Sequence, residues 1–345
     1  MSKNGLPRKP LTKRRLKNLI LNVLKNPFNM VVLVSLIILF CLIIIPLLTM
    51  ISSTFTLAQG ELRRVQGHVG DFTLYYWKYI LTGKLAGAVL WGPLKNSFIC
   101  GFFTVLVSVP LGSVLAWLMI RTDIPGKKIL GLLVTVPYMI PSWTKALAWL
   151  AMFRNSTSGA NGFLAGMGIP IPDWLAYGPI AIVLCMSMHY YAFSYIMVSG
   201  ALRSINSELE EMGEIQGASK AQILRHITLP LILPSVLSAT VMTISKSIGT
   251  YGVPANLGNR IGYYTLATKM RNFIDQGPQA VGYAMSIVLV LLAALIIFSN
   301  QRIVGVRKSY ATVSGKGGRA TLMPLGKAKK PLMAFLMVFL FLAMV

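Results

Sequence analysis

The chain has 345 residues, 55% of them hydrophobic and 12% charged, with a mean hydropathy of +0.66 and a formal net charge of +24. A soluble domain cannot hide that much apolar surface, so lipid is the solvent and a water-soluble globule is excluded. The 33 Lys and Arg residues lie mostly between apolar runs. That is the positive-inside arrangement of a membrane protein and not a nucleic-acid footprint, so no nucleic-acid partner is expected.

Residues 1–29 are basic and acid-free and precede the first uncharged run, 30–51. At about 20 residues per span this run crosses a bilayer. It is longer than the apolar run of a secretory leader and lacks a small-residue cleavage site, so it reads as an uncleaved anchor with a cytosolic N-terminus. In the following loop, 52–93, Tyr75, Tyr76, Trp77 and Tyr79 suit a membrane-interface belt. Further spans are expected at 94–119, 128–152, 178–201, 231–250 and 280–299, with Pro137 and Pro141 kinking the third and Gly249 and Gly252 loosening the outer end of the fifth. The predicted fold is therefore all-α, a polytopic transmembrane helix bundle of six complete spans.

From a cytosolic N-terminus, the inside segments are 120–128, 202–230 and 300–330, and the last of these is a basic linker (301–330) without an acid. Its Ser314-Gly-Lys-Gly-Gly-Arg319 stretch lacks the first glycine and the Ser/Thr of a Walker A loop and reads as a flexible linker. From Pro331 the chain is apolar again to Val345. That run is either a short interfacial tail or the start of a seventh span, and the linker before it favours the second. Cys41, Cys100 and Cys185 lie in apolar runs, and His68, His189 and His226 are scattered, so neither disulfides nor a metal site is expected.

Four of the nine acidic residues, Glu208, Glu210, Glu211 and Glu214, fall in one inside segment, and residues 208 to 217 contain no base. A negative leaflet repels such a segment, and so does DNA; a basic protein surface is the better partner. Ser207 with Glu210 and Ser219 with Gln222 have capping-box spacing, each opening a short helix. Leu209, Met212 and Ile215 give the first helix an apolar stripe, Gly217 suits a left-handed turn, and Pro230 is expected to end the second helix. The result is an exposed helix–turn–helix elbow between two spans.

At these residues the chain resembles the inner-membrane permeases of binding-protein-dependent ABC importers. Their hallmark reads EAA, three residues, Gly, nine residues, then I-x-L-P. Glu211-Met-Gly213, Gly217, Ile227, Leu229 and Pro230 keep that spacing, with Met212 and Gly213 in place of two alanines. The flanking Ala201–Glu211 and Gly249–Gly258 segments look like those of iron(III)-type permeases, and the likeness extends over 94–300, the expected permease domain. The resemblance implies a bacterial inner (plasma) membrane subunit. Glu208, Glu211, Gly217, Ala218, Ile227, Leu229 and Pro230 would form the surface that couples to cytosolic ATPase subunits. It further implies an external solute-binding protein, a second permease module (fused, homodimeric or heterodimeric), and iron(III) as first-choice cargo ahead of phosphonate, polyamine, thiamine or sulfate. ATP and Mg would be used by the partner ATPase, and this chain would bind no cofactor and be no enzyme.

No Asp or Glu lies in the expected spans, which counts against a proton- or sodium-coupled carrier, the alternative along with a channel. Lys145 and Lys246 lie in the outer parts of spans. Either they snorkel to the interface, or with Gly249 and Gly252 they line a translocation path for an anion.

Overall fold

The computed structural model describes residues 27–62, 65–156, 159–205, 207–305 and 322–344. The basic N-terminus up to residue 26 and the linker residues 306–321, Ser314–Arg319 among them, lie outside the described residues, as does the side chain of Ser207. Among the described residues no strand forms, and the chain divides into a unit ending at Thr73 and one beginning at Leu74.

In the first unit, helix α1 (Pro27–Ser53) is long and apolar enough to cross a membrane. Beyond it the chain doubles back on itself. Leu57 N–H donates to Asp71 O (2.9 Å), Thr73 N–H donates to Phe55 O (2.8 Å), and the Phe55 and Phe72 rings stack at 5.9 Å.

The second unit opens with α2 (Tyr75–Leu81) and then α3 (Gly92–Arg121), which continues a π-turn at Gly87–Trp91. Two shorter helices follow, α4 (Lys127–Met139) and α5 (Ser142–Phe153), then the long α6 (Pro179–Ser204). The elbow comprises α7 (Ser207–Ile215) and α8 (Lys220–Ile223), and it runs on into α9 (Leu229–Gly249). Two compact helices, α10 (Gly252–Leu257) and α11 (Leu266–Gln276), precede α12 (Gln279–Gly305) and α13 (Lys329–Met344).

Among the described residues, five helical stretches are long and apolar enough to cross a membrane: Pro27–Ser53, Gly87–Arg121, Asp173–Ser204, Lys220–Gly249 and Gln279–Arg302. They answer to the first, second, fourth, fifth and sixth expected spans. The expectation of six complete spans is not confirmed at 128–152, which is not one continuous helix. Pro141 lacks an N–H and disfavours helical geometry at Ile140, where the backbone becomes extended (ψ 129°). The segment therefore splits into helices of 13 and 12 residues, each about 20 Å or less at 1.5 Å per residue and too short to cross alone.

Pro230, by contrast, ends nothing. A π-turn at Leu224–Thr228 precedes it, with Leu229 N–H donating to Leu224 O, and the chain runs on into α9 with the proline in its first turn. The wide turn and the N-terminal position together remove the conflict between proline and helix. Pro93, behind the π-turn at the start of α3, repeats the arrangement.

The core of this unit is the packing of α3 against α6, with α9 against both. At Gly112 a Cβ would collide with the Tyr191 carbonyl oxygen and lie 2.8 Å from the Tyr195 amide nitrogen, so only glycine allows the two backbones to approach this closely. Small polar residues, Thr104, Ser108, Ser187 and Ser194, are buried along the same seam. One end of the unit is filled by Leu115, Met119, Leu130, Val134, Leu202 and Ile232 with Leu336 and Leu340 of α13. A second cluster joins α2 to α12 through Tyr76, Ile80, Val281 and Met285.

Candidate functional site

The elbow is built from local rules. Gly217 has φ +82°, the left-handed region that a side chain enters at a cost. Ala218 N–H donates to Gly213 O (3.0 Å) and Gly217 N–H to Glu214 O (2.9 Å), the paired bonds of a Schellman ending. The expected capping box at Ser219 is formed: its N–H donates to Gln222 Oε1 (2.7 Å), and Gln222 N–H donates to Ser219 Oγ (3.4 Å). Gly213, in place of the usual alanine, lets α7 close on the next helix. A Cβ there would lie 3.2 Å from both Ile223 Cγ1 and Ile227 Cδ1.

The box expected between Ser207 and Glu210 depends on the Ser207 side chain, outside the described residues; what the described residues show at Glu210 is a tertiary contact. Glu210 Oε1 accepts from Thr228 Oγ1 at 2.8 Å and lies 3.3 Å from Arg121 Nη2. Arg121, 4% exposed at the end of α3, also donates to Leu202 O (3.3 Å), one of the carbonyls left without a helical partner at the end of α6. One carboxylate thus ties α7 to the ends of α3 and α6 and to the start of α9. A buried pair of this kind is costly to break, because either partner alone is an uncompensated charge.

The opposite face of α7 looks outward. Leu209, Met212 and Ile215 are exposed, Ile215 by 85%, and Glu208 and Glu211 are exposed beside them. The apolar stripe read from the sequence is real but does not pack on this chain. Leu229 and Pro230 are also exposed, while Ile227 is half-buried beneath Gly213.

A strap from further along the chain closes over the same region. Met323 N–H donates to Arg121 O (2.8 Å) and Asp123 N–H to Met323 O (3.2 Å). Leu325 N–H donates to Asp123 Oδ1 (2.9 Å), and Lys329 Nζ donates to Oδ2 (3.0 Å). The Leu325 N–H, and after it the Lys329 ammonium, hold the Asp123 carboxyl below the usual carboxylate range.

Of the four residues expected along a translocation path, two share a cavity. The α4–α5 break, α6 and α9 border an open cavity of about 500 Å³, lined by Tyr138, Pro141, His189, Tyr190, Lys246 and Gly249 among others. A broken helix is tolerated at membrane depth where it lines such a space. The Lys246 ammonium lies 5.3 Å from the Phe193 ring centre and 6.0 Å from that of Tyr138, within range for cation–π attraction. Lys145 is elsewhere: 4% exposed, it donates to Met188 O (2.9 Å) and Ala343 O (3.1 Å), so it neither snorkels nor reaches the cavity. Gly252 meets Trp143, where a Cβ would come within 2.6 Å of the indole-bearing Cβ, so its role is close packing of α10 on α5.

Sequence reading missed Arg121, Thr228 and the inward role of Glu210. Arg121 is one basic residue at the end of a span, indistinguishable by pattern from any other positive-inside residue. Glu210 carried a local explanation that gives no hint of its tertiary partners.

The profile of the family described as binding-protein-dependent transport system inner membrane component matches residues 80–309. The chain is 27% identical over 180 residues to a probable sulfate transport system permease protein, cysT, of Marchantia polymorpha; the alignment takes in 51% of this chain and spans only 59% of that relative's length. It is 28% identical over 232 residues to a putative 2-aminoethylphosphonate transport system permease protein, PhnV, of Salmonella typhimurium, covering 67% of this chain and 80% of that one. In fold it is similar to a chain of a bacterial ABC transporter involved in the import of the acidic polysaccharide alginate, with a TM-score of 0.62 at 18% identity, covering 84% of this chain and 98% of that one. These relatives are named for sulfate and 2-aminoethylphosphonate, which leaves the expected iron(III) cargo without support.

Proposed function

The chain belongs to the family of binding-protein-dependent transport-system inner-membrane components, multi-pass permease subunits of ABC importers, and from that premise we propose that it passes a small oxyanion of the sulfate or phosphonate kind. The relatives' names support that cargo class, and iron(III) is set aside. So does Lys246, a cation among hydroxyl and imidazole groups (Ser142, His189, Tyr190, Ser245) in one cavity. An oxyanion accepts from the ammonium and the serine hydroxyls, whereas Tyr190 already donates to Thr250 Oγ1, and a bare metal cation is repelled by the ammonium.

The drive is external. The carrying observation is the two-faced elbow: Glu210 is locked inward on Arg121 and Thr228, while Leu209, Met212 and Ile215 face outward with Glu208 and Glu211. An exposed apolar strip rimmed by acids suits a groove with an apolar floor and basic edges. We assign that groove to cytosolic ATPase subunits, which use ATP and Mg. An external binding protein delivers cargo, and a second permease module, fused or separate, completes the passage through the lipid bilayer. ATP-driven movement of the partner pulls the elbow, and the Glu210 joint carries the pull to α3, α6 and α9. The partner shifts this equilibrium only to the extent that it binds one state better than the other.

Reconstitution with the ATPase and binding protein tests this reading. Glu211→Lys is expected to abolish uptake while membrane insertion stays normal, and unimpaired uptake by that variant refutes it. Lys246→Gln is expected to raise the KM for sulfate or 2-aminoethylphosphonate roughly tenfold or more, the loss of one charge-assisted hydrogen bond. An unchanged KM removes Lys246 from the path.

A further inference from the structure

The seam between α4 and α6 that holds the Lys246 cavity opens a second time near the elbow. There a cavity of about 670 Å³ is lined by Lys127, Lys128, Thr135, Tyr195, Ser199 and Arg203 among others, and among the described residues no carboxylate lines it. We propose that this cavity is a binding site for a tetrahedral oxyanion, the sulfate, phosphate or phosphonate group of a cargo molecule or of a lipid headgroup. The cargo source rests on the permease reading above, and the headgroup source does not.

Helical geometry assembles the site. Lys127, Gly131 and Thr135 recur every four residues on α4, and Tyr195, Ser199 and Arg203 do so on α6, so each helix turns one continuous stripe to the cavity. Three cations converge at one end, and among the described residues none of them is ion-paired. Basic residues at helix ends are ordinary in a membrane protein, and alone they name no ligand.

The buried groups between them do. Ser199 is 5% exposed and its hydroxyl has no hydrogen-bond partner. A serine within a helix ordinarily returns its proton to the carbonyl four residues earlier. Among the described residues Ser199 keeps its donor unspent, just beneath the surface of a basic cavity. Gly131 does the complementary thing: a Cβ there would lie 3.1 Å from the Tyr195 hydroxyl oxygen, and its absence gives that hydroxyl room. Guanidinium, ammonium and hydroxyl donors around one concavity match an oxyanion, whose several oxygens each accept.

Along both helices the two cavities are separated by aromatic rings. Tyr138 lies 5.3 Å from His189 and 5.6 Å from Phe193, centre to centre. Lys246 and the Lys127–Lys128–Arg203 group are thus two cationic stations on one seam.

Full-length chain in nanodiscs supplies the test, with inorganic sulfate and phosphate as free probes in neutral phosphatidylcholine discs, and phosphatidylglycerol as lipid probe in mixed discs. In the unmodified chain, bound probe is expected to slow acylation of Lys127 and Lys128 about tenfold while leaving exposed Lys84 unaffected. This readout needs no variant. The triple variant Lys127→Gln, Lys128→Gln, Arg203→Gln should lose probe retention, Ser199→Ala should weaken it, and Arg203→Lys should retain it. Protection by free sulfate or phosphate supports the site and assigns it to cargo. Protection by phosphatidylglycerol alone supports it and assigns it to a headgroup, and phosphatidylglycerol displaced by sulfate shows both sources sharing it. Acylation of Lys127 and Lys128 that no probe slows relative to Lys84 overturns the proposal, as does a triple variant that retains probe like the unmodified chain. None of these measurements involves the ATPase or Glu211, so failure here and failure of the permease reading are separable.

Discussion

Removing the charge of Glu210 isolates the joint between the elbow and the membrane helices. In Glu210→Gln the side-chain oxygen can still accept from Thr228, now 2.8 Å away, but Arg121, 4% exposed, loses the anion 3.3 Å from its Nη2. Arg121 Nε already lacks a partner among the described residues, so the guanidinium is left with neutral acceptors only, Leu202 O among them. Breaking a buried pair from one side typically costs about 3–5 kcal/mol, whereas replacing both charges by groups of similar size is close to neutral. The elbow's attachment should therefore weaken by roughly a hundredfold to a few thousandfold. Arg121→Met with Glu210→Gln should recover most of that loss. Hydrogen exchange of the α7 amides, measured for the unmodified chain, both single variants and the double variant, reads the attachment directly. The expected pattern is fast exchange in each single variant and slower exchange in the double. Additive losses, or exchange unmoved by Glu210→Gln, would refute the latch and leave α7 held only by its packing on Ile223 and Ile227.

Two further outcomes follow from local geometry. Gly217→Ala places a side chain at φ +82° with nothing within 4 Å of its Cβ, so the cost is conformational only, about 1–2 kcal/mol. The α7–α8 turn should open, seen as lost protection of the Ala218 amide, with the membrane helices unaffected. The strap should respond to acid. Asp123 has a lowered folded-state pKa, so its contribution is complete above the ordinary aspartate value of about 3.9 and is lost as pH falls through the lower folded value. Protection of the Leu325 amide should be flat from neutral pH to about 5 and disappear only in stronger acid. In Asp123→Asn it should be low throughout, and protection in that variant equal to the unmodified chain's removes Asp123 from the strap.

The division between what the chain order reveals and what the fold alone decides follows the range of the forces involved. Hydropathy over a span-length window depends only on neighbours in sequence, so five of six expected spans were legible. The left-handed turn at Gly217 and the capping box at Ser219 are contacts within five residues, and both were readable for the same reason. The third expected span is not one continuous helix: Pro141 breaks it rather than bending it, beside a cavity that accommodates the freed backbone. Long-range pairing has no such signature. Nothing near Arg121 in sequence points to Glu210, nothing near Asp123 points to Leu325, and Lys145 and Lys246 look alike until packing buries one against carbonyls and opens a cavity around the other. A charge finds its partner only when distant segments meet, and that meeting is set by the packing of α3, α6 and α9, not by any single stretch of chain.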